Sequence, residues 1–135
     1  MALQFSVDVR NARLDALENE VGASPILRIR TGSAPANVSD SDTGDVLATL
    51  TLPSDWMADA LNGSKSMSGT WEDPSADASG IAGHFRIYNS GDTVCHLQGT
   101  ISMAGGGGDM ILDNTNIAVG QAISIESFTL TDGNA

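Results

Sequence analysis

The stretch 79–101 constrains the fold most, because it reads as a β-hairpin. Two runs that alternate apolar and polar side chains flank the turn signal Asn89–Asp92. A two-residue loop would place Phe85 opposite His96 and mix apolar and polar side chains on both faces. A three-residue loop places Phe85 opposite Leu97 and separates the two kinds of side chain. The pattern therefore predicts a three-residue loop closed by a residue in the left-handed conformation.

The same register predicts the surroundings of the hairpin residues that could carry chemistry. Cys95 falls opposite Ile87 and is predicted to be a buried core residue, not a reactive thiol. His84, Arg86 and His96 fall on the other face, which is predicted to be polar and exposed to solvent. A metal site on that face would need a third ligand, and the spacing fixes none. The sequence therefore predicts no metal site.

Residues 1–22 are predicted to form an N-terminal helical arm. Ser6 is a suitable N-cap, Gly22 can end the helix in the left-handed conformation, and Pro25 prevents its continuation. At ~100° per residue the apolar positions fall on two stripes. The first stripe contains Leu3, Val7, Arg10, Leu14, Leu17 and Val21. The second contains Phe5, Val9, Ala12 and Ala16. The second stripe predicts either a contact with another molecule or a further part of the core, and both alternatives remain open.

After the helix, short strands separated by turn residues dominate the sequence. Residues 25–30 and 46–52 alternate well enough to predict strands. In the last predicted strand the apolar phase shifts, which predicts a β-bulge near residues 126–127.

One helix followed by roughly seven or eight short strands is typical of a sandwich or a jelly roll. The predicted fold is therefore mainly β: an antiparallel β-sandwich, jelly-roll-like, with one N-terminal α-helix. Residues 1–135 are expected to form a single domain, with the helical arm at 1–22 and the β-sandwich over 25–135.

Charge excludes two classes of partner. The 17 acidic and six basic residues give a formal net charge of −11, which is unsuited to nucleic acids or anionic membranes. No run approaches the ~18 apolar residues of a membrane span, and the N-terminus lacks the layout of a signal peptide. The chain is therefore expected to be soluble and to be made and used without export. Its single cysteine excludes an intrachain disulfide.

No motif predicts an enzyme or a cofactor. Residues 40–45 resemble a calcium-binding loop, but Asp45 stands where that loop requires glycine. The glycine run 105–108 lacks the lysine and the following helix of a phosphate-binding loop. Trp56 and Trp71 could stack on sugar rings, although packing in a core or an interface is the favoured interpretation.

Several short pieces, in order along nearly the whole chain, resemble one family. They are Val9–Ala16, Leu27–Ile29 with Thr31-Gly32 and Pro35-Ala36, Leu47–Leu52, Ser75–Ile87, Leu112–Thr115 and Gly120-Gln121. With these pieces the chain resembles small virion structural proteins of tailed bacteriophages. Residues 55–71 depart most from that pattern, and none of the pieces is a catalytic motif.

The resemblance implies a particle component, and the leading expectation is a capsid decoration or cement protein. Such a protein would bind the major capsid protein on the outside of the shell, act as a homo-oligomer in many copies, and be made in the host cytoplasm. The expected protein interface lies on the arm. Its residues are Phe5, Val9, Arg10, Ala12, Arg13 and Ala16. Arginines in it would clamp carboxylates of neighbouring subunits.

Two other classes remain as alternatives. A tail- or fibre-associated virion protein would bind a host glycan through Trp56, Trp71 and the loops. An enzyme would require a cleft with paired carboxylates or a bound metal.

Overall fold

The computed structural model describes residues 3–133, which contain one helix and nine strands. The helix is α1 (Val7–Val21). The strands are β1 (Ile26–Thr31), β2 (Val46–Thr51), β3 (Ser64–Ser66), β4 (Glu72–Asp73), β5 (Gly80–Tyr88), β6 (Cys95–Ser102), β7 (Met110–Leu112), β8 (Asn116–Ile117) and β9 (Ile123–Thr131).

The ends of α1 confirm the capping prediction. The Ser6 hydroxyl accepts a hydrogen bond from the Val9 N–H at 3.2 Å, which satisfies one of the free donors of the first turn. At the other end, Gly22 adopts φ 90° and its N–H donates to the Glu18 carbonyl. The helix therefore begins and ends where its sequence predicts.

The strands form one continuous mixed sheet that curls into a half-barrel. The order of its main path is β2-β1-β5-β6-β7-β9-β3, while β4 pairs with β9 and β8 pairs with β5. The pairings are antiparallel except β6 with β7, which is parallel. The prediction of a mainly β protein with one helix is confirmed, but the sandwich or jelly-roll architecture is not.

Four aromatic rings form the centre of the core. Trp56, Trp71, Phe128 and Phe85 are all buried, and in this order successive ring centroids lie 6.0, 5.8 and 5.4 Å apart. The core prediction for the two tryptophans is confirmed. Their burial means that neither can offer an open face to a sugar ring.

The β5–β6 hairpin corrects the predicted register. Phe85 lies opposite Gly99, not Leu97, and the Asn89 N–H donates to the Val94 carbonyl across a four-residue loop. A Cβ added at Gly99 would lie 2.8 Å from the Phe85 ring. The bulky ring therefore faces the one β6 residue without a side chain. The predicted left-handed residue is present in the loop, at Asp92 with φ 56°.

An irregularity in the pairing also changes the surroundings of Cys95. Between Ile87 and Tyr88 the register shifts, so Cys95 lies opposite Tyr88. Its thiol accepts a hydrogen bond from Arg86 Nε at 3.2 Å and is only half-buried. The prediction that Cys95 is a buried residue of the apolar core is wrong.

The predicted bulge in the last strand is confirmed. Ile111 lies opposite Ser127, whereas Leu112 lies opposite Ile125, so Glu126 is the extra residue. The bulge restores the inward direction of both Ile125 and Phe128, which are buried.

Side chains cover the outer edge of β2. The Thr49 N–H donates to the Asp73 carboxylate at 3.0 Å, and the Thr49 hydroxyl donates to Asp77 at 2.8 Å. The Asp77 N–H donates to the Leu47 carbonyl at 2.7 Å. The segment that contains β4 thus lies along the β2 edge. Because β4 also pairs with β9, this segment connects the β2 edge to β9.

Candidate interaction surfaces

A buried lysine joins α1 to the sheet. The Lys65 side chain is fully buried, and its Nζ lies 2.6 Å from Asp15 Oδ1 and 2.7 Å from Glu18 Oε2. It also donates to the Ala58 carbonyl at 2.8 Å. Burial lowers the pKa of Lys65, but the hydrogen bonds that its ammonium donates to Asp15 and Glu18 outweigh this effect, so the pKa is raised overall.

Further polar contacts fix the same face of the helix. The side-chain amide oxygen of Asn11 accepts a hydrogen bond from the Gly63 N–H, and the Asp15 carboxylate accepts one from the Ala60 N–H. The hydrogen bonds from Lys65 and Ala60 lower the pKa of Asp15. Because Leu14 is also buried on this face, α1 is held firmly against the sheet.

The second stripe of the helix points away from the sheet. Phe5, Val9, Ala12 and Ala16 are exposed, with Val9 at 43 %. The alternative that this stripe forms a further part of the core is therefore wrong. These residues form an exposed surface, which we call the outer stripe. It lies on α1, whose opposite face is held against the sheet.

The two arginines of the predicted interface bind within the chain. Arg13 Nε lies 3.1 Å from Asp132 Oδ2, and Arg10 Nη1 donates to the Asp132 carbonyl at 3.3 Å. The Arg13 guanidinium also lies 5.0 Å from the centroid of the Phe5 ring. Arg10 and Arg13 thus tie the arm to the end of β9, and in this structure they do not stand free to clamp a neighbour's carboxylates.

A second charged cluster lines a cleft of about 490 Å³ on the other side of the sheet. Arg28 makes two hydrogen bonds to the Asp92 carboxylate, at 2.6 and 2.8 Å. Arg30 and Arg86 both pair with Asp42, each at 3.1 Å. Three arginines thus meet the acidic loop 33–45 and the hairpin turn.

The pairs in this cleft shift the pKa values of its members. The hydrogen bonds with each other raise the pKa of Arg28 and lower the pKa of Asp92. Burial, followed by the hydrogen bond to Asp42, raises the pKa of Tyr88, whose hydroxyl donates to that carboxylate at 2.6 Å. Asp42 therefore joins Arg30, Arg86 and Tyr88.

Loop 33–45 covers the hairpin face that was predicted to be exposed to solvent. Arg86 is 1 % exposed, and its Nη2 donates to the Val38 carbonyl at 2.8 Å and the Asp40 carbonyl at 3.2 Å. His84 is equally buried, with Nδ1 2.9 Å from the Gly32 carbonyl, while His96 is half-buried. The prediction of an exposed polar face is wrong because a distant loop packs on it.

The sequence carried a signal for this packing that the prediction missed. Arg28 and Arg30 alternate with the buried Leu27 and Ile29, so one face of β1 is basic. The acidic loop that follows is the nearest source of carboxylates along the chain. Matching the two would have predicted the ion pairs of loop 33–45.

Most of the positively charged side chains form ion pairs within the chain. Arg13, Arg28, Arg30, Lys65 and Arg86 pair with five of the 17 carboxylates, all of which lie within residues 3–133. In that part of the chain the other 12 carboxylates have no ion-pair partner among the described cations. The outer surface therefore presents mainly negative charge.

Within residues 3–133, no group of three or more His, Cys, Asp or Glu side chains is arranged to hold a metal ion. In the same range no helix is both long enough and apolar enough to cross a membrane.

Searches with the sequence and the fold gave no match to a protein-family model, to a curated protein or to a solved structure.

Proposed function

We propose that this chain is a structural protein of the virion of a tailed bacteriophage. In this proposal it decorates the outside of the capsid shell by binding the major capsid protein, and it acts without catalysis or cofactor. The resemblance in pieces such as Ser75–Ile87 suggests the class of protein. The observation that carries the mode of binding is the outer stripe, an exposed apolar surface on a firmly held helix. The proposal does not depend on a jelly-roll architecture.

The outer stripe has properties that favour a protein partner. Exposed apolar side chains in a row are typical of an interaction surface, and Val9 and Phe5 provide such area. Because Lys65 and Asn11 hold the other face of α1, binding would order little that is not already ordered. Small contacts of this kind give tight net attachment when the copies that bind one particle are also linked to one another.

The negative outer surface is consistent with a protein present at high local density. Like charge keeps copies soluble and limits their non-specific association before they reach a shell. It also implies that the shell surface under the outer stripe is apolar or basic, since an acidic one would repel the chain.

Substitutions on the outer stripe test the proposal. Val9→Glu and Ala12→Glu introduce a charge where the contact would form, while both side chains are exposed in the free protein. We expect each to reduce occupancy on shells that lack this protein by about tenfold or more, measured by co-sedimentation and quantitative gels. Val119→Glu, at a 65 % exposed position on another part of the surface, is the matched control.

Unchanged occupancy for both helix variants would remove the outer stripe as the binding surface. Deleting residues 1–22 is a poorer test, because it would leave the buried Lys65 ammonium without Asp15 and Glu18.

The alternative of a tail- or fibre-associated glycan-binding protein needs a surface other than the two tryptophans. The cleft at Arg28, Tyr88 and Asp92 offers polar groups for it. Glycan-array binding that is lost in Arg28→Ala, together with normal occupancy of Val9→Glu, would favour this alternative.

A further inference from the structure

The half-barrel has a gap between β6 and β9, next to the short strand β7. β7 lies between β6 and β9, but it has only three residues, and the last pairs on this side are Ile101 with Met110 and Met110 with Phe128. Beyond Met110, β6 and β9 continue with no strand of residues 3–133 between them and enclose a groove of about 310 Å³, which we call the slot. Its lining residues are Phe85, Leu97, Gln98, Asp109, Phe128, Thr129, Leu130 and Thr131.

The slot is wide enough for one extended chain. At Met110, β6 and β9 are each one strand spacing, ~4.8 Å, from β7. Their separation next to Met110 is therefore about two spacings, the width that one added strand fills. The run 105–108, which precedes β7, lies against the end of β6 instead, where the Gly108 N–H donates to the Ser102 hydroxyl at 2.8 Å.

Backbone groups of both walls point into the slot. The Thr100 N–H donates to the Asp109 carboxylate at 2.9 Å, so Thr100 faces away from β5, and the alternation of an antiparallel ladder gives Gln98 the same direction. On β9, the Phe128 carbonyl and the Asp132 N–H bond to the β3 side. The backbone groups of Thr129 and Thr131 therefore face the slot.

The floor of the slot is apolar. The Phe85 and Phe128 rings meet edge to face there, with centroids 5.4 Å apart. Leu97 and Leu130 stand beside them and are only partly buried. An added strand with apolar side chains two residues apart would cover Leu97 and Leu130, because the two rings are already buried.

The N-terminal arm of the same sequence has the properties of such a strand. Leu3, Gln4 and Phe5 alternate apolar, polar and apolar, and Leu3 is 76 % exposed. Residues 3–6 belong to no helix or strand, and Ser6 is extended with φ −62° and ψ 159°. The arm has no charged side chain before Asp8, so it can approach another copy without the repulsion that the acidic surface imposes.

We propose that the slot of one copy binds the segment Leu3–Phe5 of a second copy as an added strand. Within its own chain the arm is held at the end of β9, because Phe5 lies against Arg13 and Arg13 pairs with Asp132. An arm that enters the next copy's slot makes a head-to-tail contact, which closes into a ring or continues as a chain of copies. This inference supplies the contact between copies that the proposed function leaves open, and it requires no capsid.

Disulfide trapping between two full-length variants tests the contact. One chain carries Leu3→Cys and the other Leu130→Cys, and Cys95→Ala in both removes the native thiol. We expect the mixed dimer to form about tenfold faster or more than with Val119→Cys in place of Leu130→Cys, because a bound arm raises the effective concentration of the thiol. Gln4→Cys with Thr129→Cys repeats the test without altering the floor, because Gln4 alternates with Leu3 and Phe5 and the exposed Thr129 alternates with Phe128 and Leu130, so both point away from the floor.

Equal rates with the slot and Val119 variants would overturn the proposal. So would a single chain with both Leu3→Cys and Leu130→Cys that closes an intramolecular disulfide and gives no dimer, since its own arm would then fill the slot. As an independent measurement, sedimentation should show assemblies larger than a monomer for the native chain and their loss in Leu3→Asp. These assays contain no shell, so their failure is distinct from a failure of capsid binding.

Discussion

The Lys65 ammonium lies 2.6 Å from the Asp15 carboxylate across the junction between the sheet and α1. With Glu18 at 2.7 Å, it is a fully buried cation with two counter-ions from consecutive turns of one helix. The orientation of the outer stripe therefore depends on an electrostatic contact beneath it.

Removing both counter-ions should destabilise the fold strongly. Asp15→Asn with Glu18→Gln leaves the Lys65 charge buried without compensation, and we expect a loss of about 3–5 kcal/mol in the free energy of unfolding by urea. Adding Lys65→Met to the double variant removes the stranded charge and should recover much of the loss. A loss below about 1 kcal/mol in the double variant would show that the charge is solvated after all.

Acid should weaken the fold through Asp15 and Asp92. Both have a pKa held below the ordinary value of 3.8, so their contribution to stability is present above that pH and is lost as the pH falls through the lowered pKa. We expect the free energy of unfolding to fall between about pH 5 and pH 2. In Asp92→Asn this pH dependence should be shallower, and a curve that superimposes on the native one would contradict the assignment.

Arg86→Lys should loosen loop 33–45. A lysine keeps the charge but cannot reach the Val38 carbonyl, Asp42 and Cys95 together, and we expect about 1–3 kcal/mol of destabilisation. Amide hydrogen exchange should increase in this loop more than in the sheet. Arg28→Lys, at a more exposed pair, is the control and should cost at most about 1 kcal/mol. Equal exchange in the two variants would contradict a specific role for Arg86.

Gly83→Ala should be among the most damaging small substitutions. A Cβ at Gly83 would lie 2.2 Å from the Gly32 carbonyl oxygen, so the backbone of one strand end must move. We expect about 3 kcal/mol of destabilisation in thermal or urea unfolding. Gly133→Ala, where a Cβ would meet nothing within 4 Å, should change stability by no more than about 0.5 kcal/mol. Similar results for both would show that the strands separate easily at Gly83.

Local signals in the sequence predicted local structure correctly. Ser6 and Gly22 mark the helix ends because caps act over a few residues, and the phase shift at Glu126 marks a bulge for the same reason. The alternation of residues 25–30 predicts a strand for the same reason, and the apolar Leu27 and Ile29 of β1 are fully buried.

Features that depend on distant segments were not predicted. The hairpin register is set by the fit of the Phe85 ring over Gly99. This fit outweighs the separation of apolar and polar side chains on the two faces of the hairpin. Arg86 is buried against Val38 of loop 33–45, which lies 48 residues away along the chain, and His84 contacts the Gly32 carbonyl, 52 residues away. Lys65 gave no local signal either, since its counter-ion Asp15 lies 50 residues away in α1.

The cover on the β2 edge has a consequence for crowding. An open strand edge is a template on which further chains can align and aggregate, and this risk grows with concentration. At Thr49 the outward N–H already donates to the Asp73 side chain. A side-chain carboxylate is not a strand backbone, so the ladder of backbone hydrogen bonds cannot continue through it to another strand. Sheet extension by another chain is thereby blocked at this point of the β2 edge, whereas the slot stays open to an added strand.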